Sequence, residues 1–158
     1  MKGNILIVDD NKSVLTALEM LLQMEFSHVL SINHPKTLIT TIQQNNIDIV
    51  LLDMNFKAGM NTGNEGLYWL KRINESFPHI SIVLITAFGD VELAVKAVKE
   101  GAFDFVLKPW DNAKLISTLN AALSLNRSKR ENSGLKATAK SLKQVLNQQD
   151  NYIIGQSS

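Results

Sequence analysis

Apolar residues along this chain fall into two alternating kinds of run. Three runs are short and nearly continuous, Ile5–Val8, Ile47–Leu52 (interrupted at Asp48) and Ile80–Ile85 (interrupted at Ser81), and they read as strands buried on both faces of a parallel sheet. His28–Ile32 and Phe103–Leu107 are weaker strand candidates. Between the strands the apolar spacing changes to three and four. Lys12–Met24 places Val14, Leu15, Leu18, Leu21 and Leu22 on one stripe, Pro35 opens a stretch carrying Leu38, Ile39 and Ile42, and Glu65–Phe77 carries Leu67, Leu70 and Ile73. Asp90 is placed to cap a helix over Val91–Glu100 that Gly101 ends, and Asp111 to cap a last helix beginning near Asn112. Strand and helix alternate five times. The class predicted is α/β, a doubly wound five-stranded parallel sheet with helices on both faces.

The last helix overruns what such a sheet needs. Apolar residues persist from Leu115 to Leu125, lapse from Asn126 to Ser133, and return at Leu135, Leu142 and Leu146, with Gly134 in the gap. This predicts a domain over 1–126, a helical linker over 127–150 able to form a short coiled coil, and a tail over 151–158. Charge follows the same division. Residues 126–143 hold Arg127, Lys129, Arg130, Lys136, Lys140 and Lys143 against Glu131, a net +5 in a chain whose total is +1. No aromatic residue interleaves these bases, so they read as a solvated helix face rather than a nucleic-acid surface.

Composition narrows the setting. A chain of 158 residues, 45% hydrophobic and 20% charged, suits one soluble domain with an appendage. The absence of cysteine excludes disulfides, thiolate chemistry and cysteine zinc sites, and it suits a reducing compartment. Only four apolar residues precede Asp9-Asp10, too few for a signal-peptide core, and no run approaches the roughly 18 of a membrane span. A cytoplasmic protein without a membrane partner is expected.

Candidate chemistry gathers at one edge of the predicted sheet. In doubly wound folds ligands bind beyond the carboxyl ends of the strands. Here the first strand runs into Asp9-Asp10, the third into Asp53, the fourth into Thr86-Ala87 and the fifth into Lys108-Pro109. Three crowded carboxylates repel one another unless a cation joins them, and an all-oxygen site suits magnesium or manganese rather than zinc or copper. Magnesium takes only one or two carboxylates and leaves positions for phosphate oxygens, which makes Asp53 a candidate nucleophile forming an acyl phosphate. Lys108 can neutralise phosphoryl charge and the Thr86 hydroxyl can donate to it. Taken singly the residues have ordinary readings: Asp10 as a helix cap, Lys108 as a simple ion-pair partner. His28, His34 and His79 lack metal-ligand spacing.

The segments ILIVDD, IDIVLLD, ISIVLITAFGD and GAFDFVLKPW resemble the response-regulator receiver family over roughly Asn4 to Leu125. The resemblance implies a flavodoxin-like sheet of order 2-1-3-4-5 with an extended C-terminal helix. It implies Asp9 and Asp10 as the acidic metal pair, Asp53 as phosphoacceptor and further metal ligand, and Asn55 as a ligand through its backbone carbonyl. Thr86 and Lys108 would contact the phosphate, Thr86 and Phe105 would form the switch, and Lys108–Pro109 would be a cis peptide. A histidine kinase or phosphotransfer protein would be the phosphoryl donor.

One departure from the family is the segment Met54–Glu65. It is longer than the family's loop by about five residues, lacks proline and carries Gly59 and Gly63 before Gly66, which predicts a flap beside the acceptor. Phe88, two residues after Thr86, is placed either to exclude water or simply to pack.

GAFDFVLKPWDNAKL and the long last helix are similar to NtrC-like regulators, whose receivers precede a sigma-54-activating ATPase. Tyr152-Ile153-Ile154-Gly155-Gln156-Ser157 resembles the opening of that ATPase. The resemblance implies a homodimer formed through the linker helix or the receiver surface, with DNA contacted only through domains outside this chain. A stand-alone receiver or a pseudo-receiver scaffold remains the alternative. An aspartyl-phosphate hydrolase of the haloacid-dehalogenase type would need an acid two residues after Asp53, where this chain has Asn55.

Overall fold

The computed structural model of the chain describes residues 3–54 and 64–134; of Asn64, Glu65 and 127–134 it describes the backbone course alone. The elements run β1 (Asn4–Val8), α1 (Lys12–Leu22), β2 (His28–Ile32), a 3₁₀ turn (Pro35–Thr37), α2 (Leu38–Gln44), β3 (Ile49–Asp53), α3 (Asn64–Ser76), β4 (Ser81–Ala87), a second 3₁₀ turn (Phe88–Asp90), α4 (Val91–Lys99), β5 (Asp104–Lys108) and α5 (Asn112–Gly134). The five strands form one sheet of order β2-β1-β3-β4-β5, with every pairing parallel. This is the doubly wound arrangement expected, with the order reversing between β1 and β3.

The sheet's pleat sorts the apolar residues into two cores. Leu6, Val8, Val50, Leu52, Ile82 and Leu84 face Leu38 and Ile42 of α2, Leu70 and Ile73 of α3 and Ala97 of α4. Their neighbours Ile5, Ile7, Ile49, Leu51, Val83 and Ile85 face Leu15, Leu18 and Leu22 of α1 and Leu115 and Leu119 of α5. Each central strand thus has both faces covered, which is why its apolar run is continuous. The two weaker candidates are the edge strands. β2 is half-buried from Val29 to Ile32, and β5 buries only Val106 fully.

Several boundaries differ from the sequence reading. Ile47 is buried, but its N–H bonds the Asn45 carbonyl at 3.0 Å, so it closes a turn and β3 begins at Ile49. Asp90 holds the position before α4 without a side-chain capping bond, because the 3₁₀ turn over Phe88–Asp90 already carries the chain into the helix. Asp111 does cap, its Oδ1 accepting from the Ala113 N–H at 3.1 Å. Gly101 closes α4 at φ +131, a conformation that favours glycine.

The end of the domain holds the largest difference. Leu125 is 39% exposed and Asn126 is fully buried, the reverse of their polarity. Leu115, Leu119, Ala122, Leu123 and Asn126 form a single helical stripe, so helical geometry rather than residue type decides which faces inward. The Asn126 amide donates to the carbonyls of Asp48 (3.0 Å) and His79, at the entries to β3 and β4. Beside it, Leu123 lies so close to Gly3 that a Cβ there would stand 2.8 Å from its Cδ1.

Two compact units meet after Asn126. Of the second, the helical backbone is described as far as Gly134, so the lapse in apolar residues over 126–133 does not end the helix. The linker beyond Gly134, the tail over 151–158, the 55–63 stretch of the long loop and the proposed ligand Asn55 lie outside the described residues.

Candidate functional site

The C-terminal edge of the sheet draws its polar residues from four strands. Asp9 directly follows β1, Asp53 closes β3, Thr86 lies one residue before the end of β4, and Lys108 closes β5. Parallel register brings them level, Asp53 pairing with Ile85, Thr86 with Leu107 and Ala87 with Lys108. Carboxylate oxygens of Asp9, Asp10 and Asp53 lie within 4.8 Å of one another. Asp9 is fully buried, Asp53 nearly so, and Asp10 half-buried.

Lys108 Nζ reaches into this cluster, 3.0 Å from Asp9 Oδ2 and 3.5 Å from Asp53 Oδ1. The contact with Asp9 is an ion pair without the alignment of a hydrogen bond, and Asp9 Oδ2 has no aligned donor among the described residues despite its burial. Burial works to lower the Lys108 pKa. The carboxylate charges of Asp53 and Asp9 outweigh it, so the ammonium is held above the usual lysine value of 10.5. Formally, three carboxylates against one ammonium leave the cluster at −2. A buried oxygen lacking an aligned donor, in an all-oxygen set with that deficit, fits a hard divalent cation held by Asp9, Asp10 and Asp53.

Thr86 Oγ1 is buried and has no hydrogen-bond partner among the described residues. Phe105 is half-buried and pairs in register with Leu84, both on the sheet face covered by α4. Thr86 stands two residues beyond Leu84 on the same face, so Phe105 and Thr86 are diagonal neighbours. The Lys108–Pro109 peptide is cis. Phe88 is 77% exposed, so it neither packs in the core nor is shielded. His34 accepts from the Lys36 N–H at 3.1 Å and His28 Nδ1 lies 3.0 Å from Asn4 Oδ1, both local structural contacts.

Two residues that support the site escaped the sequence reading. Asn11, not Asp10, caps α1, its Oδ1 accepting from the N–H groups of Ser13 (2.8 Å) and Val14 (3.2 Å). That cap aims the Asn11 N–H at Asp9 Oδ1, 2.9 Å away. Asn directly ahead of an apolar-periodic stretch is an N-cap signal, and Asp10 beside it obscured that reading. Gly66 lets α3 approach the backbone next to the acceptor: a Cβ there would sit 2.9 Å from both Cα and O of Met54.

A buried acidic pocket at the switch point of a doubly wound parallel sheet, crossed by one lysine, defines a class of ligand-binding α/β domain. The family model described as the response regulator receiver domain matches residues 5–120, and the chain belongs to that family. It is 28% identical over 130 residues to the DNA-binding transcriptional regulator NtrC of Proteus hauseri, an alignment covering 82% of this chain and 26% of that protein. To an NtrX-like response regulator of Rickettsia typhi it is 33% identical over 135 residues, covering 85% and 28%. The chain therefore spans little more than a quarter of these curated relatives. Among solved structures, the N-terminal signal receiver domain of a two-component response regulator from Bacteroides fragilis is 50% identical, covers 78% of this chain and 98% of that one, and superposes with a TM-score of 0.71.

Proposed function

We propose that this receiver accepts a phosphoryl group on Asp53 from a histidine kinase or phosphotransfer protein, with magnesium or manganese bound by Asp9, Asp10, Asp53 and the Asn55 carbonyl. The observation that carries the reading is the gathering of three carboxylates within 4.8 Å beneath the Lys108 ammonium. An Asp53 carboxylate oxygen attacks the donor's phosphorus, the acyl-phosphate bond forms, and the donor's phosphorus–nitrogen bond breaks with its electrons returning to the imidazole. The metal, when bound, supplies charge neutralisation for the phosphoryl oxygens. Lys108 would share that neutralisation, and the Thr86 hydroxyl would donate to a phosphoryl oxygen.

Movement of Thr86 towards the phosphoryl group opens space on the α4 face into which its diagonal neighbour Phe105 turns. A phenyl ring enters the core with no polar atom to satisfy. The altered α4–β5 surface is the output of a cytoplasmic switch, not of a turnover enzyme, and slow self-dephosphorylation resets it. Similarity to NtrC and NtrX-like regulators and the overrun of α5 support a place ahead of a sigma-54-type activator module. There the linker over 127–150, or the receiver surface, pairs two copies, and DNA is reached through other domains.

Intact-mass measurement after incubation with acetyl phosphate and magnesium tests the reading. One metal-dependent phosphoryl adduct, lost in Asp53→Ala, is expected, with size-exclusion chromatography giving any change of assembly. No adduct at saturating magnesium overturns the reading and leaves a receiver-shaped scaffold.

A further inference from the structure

Between α1 and the end of β2 lies an open cavity of about 460 Å³, a volume within the range of small-molecule sites. No side chain of the acidic pocket lines it. Leu15 and Ile32 give it apolar surface, and Thr16, Ser31 and Thr37 supply hydroxyls. Its two charges are Lys12, the first residue of α1, and Glu19, two turns further on and about 10 Å away along the helix axis.

Glu19 is half-buried, and Ser31 Oγ donates to its Oε2, which holds the carboxylate at one end of the cavity. Neither Glu19 nor Lys12 has an ion-pair partner among the described residues. A carboxylate partly withdrawn from water and left without a cation favours an incoming one. One carboxylate is too few for a divalent metal, and a simple anion would face Glu19 at close range. Lys12, on a long flexible stem, can follow a ligand's own anionic end.

We propose that this cavity binds an amino-acid-sized molecule with a cationic side chain, of which arginine is the type. Its guanidinium meets Glu19, its carboxylate meets Lys12, and its aliphatic stem lies over Leu15 and Ile32. The guanidinium fork matches a carboxylate that Ser31 has already oriented through one oxygen. The Ile32 carbonyl accepts from the Asp9 N–H at 3.2 Å, so a ligand seated here bears on a residue that supports the acidic pocket.

L-Arginine is the probe, titrated into the full chain and followed by the amide NMR shifts of Thr16, Glu19 and Ile32. One saturable site is expected. L-Citrulline, in which a neutral urea replaces the guanidinium, should bind on the order of tenfold more weakly, the loss that goes with a charge-assisted hydrogen bond. Glu19→Gln keeps an acceptor for Ser31 and should cost arginine a similar factor, and Glu19→Ala repeats the test should that variant misfold. Lys12→Met should cost about two- to threefold, as suits an exposed charge pair. Spectral dispersion reports whether each variant is folded. Absence of a saturable shift at tens of millimolar arginine overturns the site. So does equal binding of citrulline, or arginine binding that survives both Glu19 variants. Loss of binding in Asp10→Asn with Glu19→Gln unaffected overturns it too, by placing the cation in the acidic pocket.

Discussion

The two ends of the same parallel sheet are finished in opposite ways. At the N-terminal edge, backbone groups at the strand ends are closed by side-chain bonds from distant parts of the chain. The Asn126 amide grips the Asp48 and His79 carbonyls, Ser81 Oγ donates to the Ala122 carbonyl at 3.1 Å, and the Asn4 N–H donates to Asp48 Oδ2 at 2.8 Å. At the C-terminal edge, three carboxylates crowd together, Asp9 Oδ2 lacks an aligned donor, and Thr86 Oγ1 has no partner. Among the described residues each edge also leaves a buried oxygen without a partner, Asn126 Oδ1 at the one and Asp9 Oδ2 and Thr86 Oγ1 at the other, so what separates them is the crowding of carboxylate charge at the C-terminal edge. Backbone polarity and apolar cover are shared by both ends, so that charge is the difference between them.

Four changes would break or sharpen that contrast. The largest effect is expected from Asp53→Ala, which abolishes the phosphoryl adduct in intact-mass spectra. By removing one of three crowded carboxylates it also raises folding stability by about 1 kcal/mol, measured by urea denaturation. Asn126→Leu should do the reverse. The His79 carbonyl loses the amide and the Asp48 carbonyl keeps only the Ser81 N–H at 3.3 Å, so stability falls by about 1–2 kcal/mol in the same assay while adduct formation at 20 °C persists. Gly66→Ala touches both ends of the argument, because the new methyl presses on the Met54 backbone beside Asp53. A loss of about 1–2 kcal/mol and slower adduct formation are expected, read by denaturation and by the time course of mass increase.

The smallest effect concerns pH. Lys108 is held above 10.5 in the folded protein, so its contribution to stability is fully present below 10.5. Above 10.5 the unfolded chain binds fewer protons than the folded one, and the contribution is lost as pH rises through the folded value. The gap in thermal midpoint between the unaltered protein and Lys108→Gln should therefore narrow on the alkaline side.

The central strands and the reactive edge were legible for one reason. A strand covered on both faces must be apolar throughout, so the first polar residue after each run marks its exit from the core. Asp9, Asp53, Thr86 and Lys108 announce themselves in that way, although β3, β4 and β5 carry Asp53, Thr86 and Lys108 inside their final residues and only Asp9 lies beyond its strand. Supporting contacts were less legible. Asn126 carries no mark of burial in its type, yet continuing the Leu115–Leu119–Ala122–Leu123 stripe by one step lands on it. Asp90 looks like a cap, and a 3₁₀ turn takes the role from it. The close approach of Gly66 to Met54 depends on how α3 sits over the sheet, and a single sequence does not encode that placement locally.

The contact between Gly3 and Leu123 also has a meaning for biogenesis. β1 is the first strand to be made and lies inside the sheet, and half of its cover is α5, the last element of the domain. Until the ribosome has released Leu115–Asn126, the α5 side of Ile5, Ile7, Ile49 and Leu51 has only α1 to shelter it. During synthesis of the domain that face therefore stays half covered until α5 has emerged. Its cover is complete only when the first residues of the domain meet its last helix.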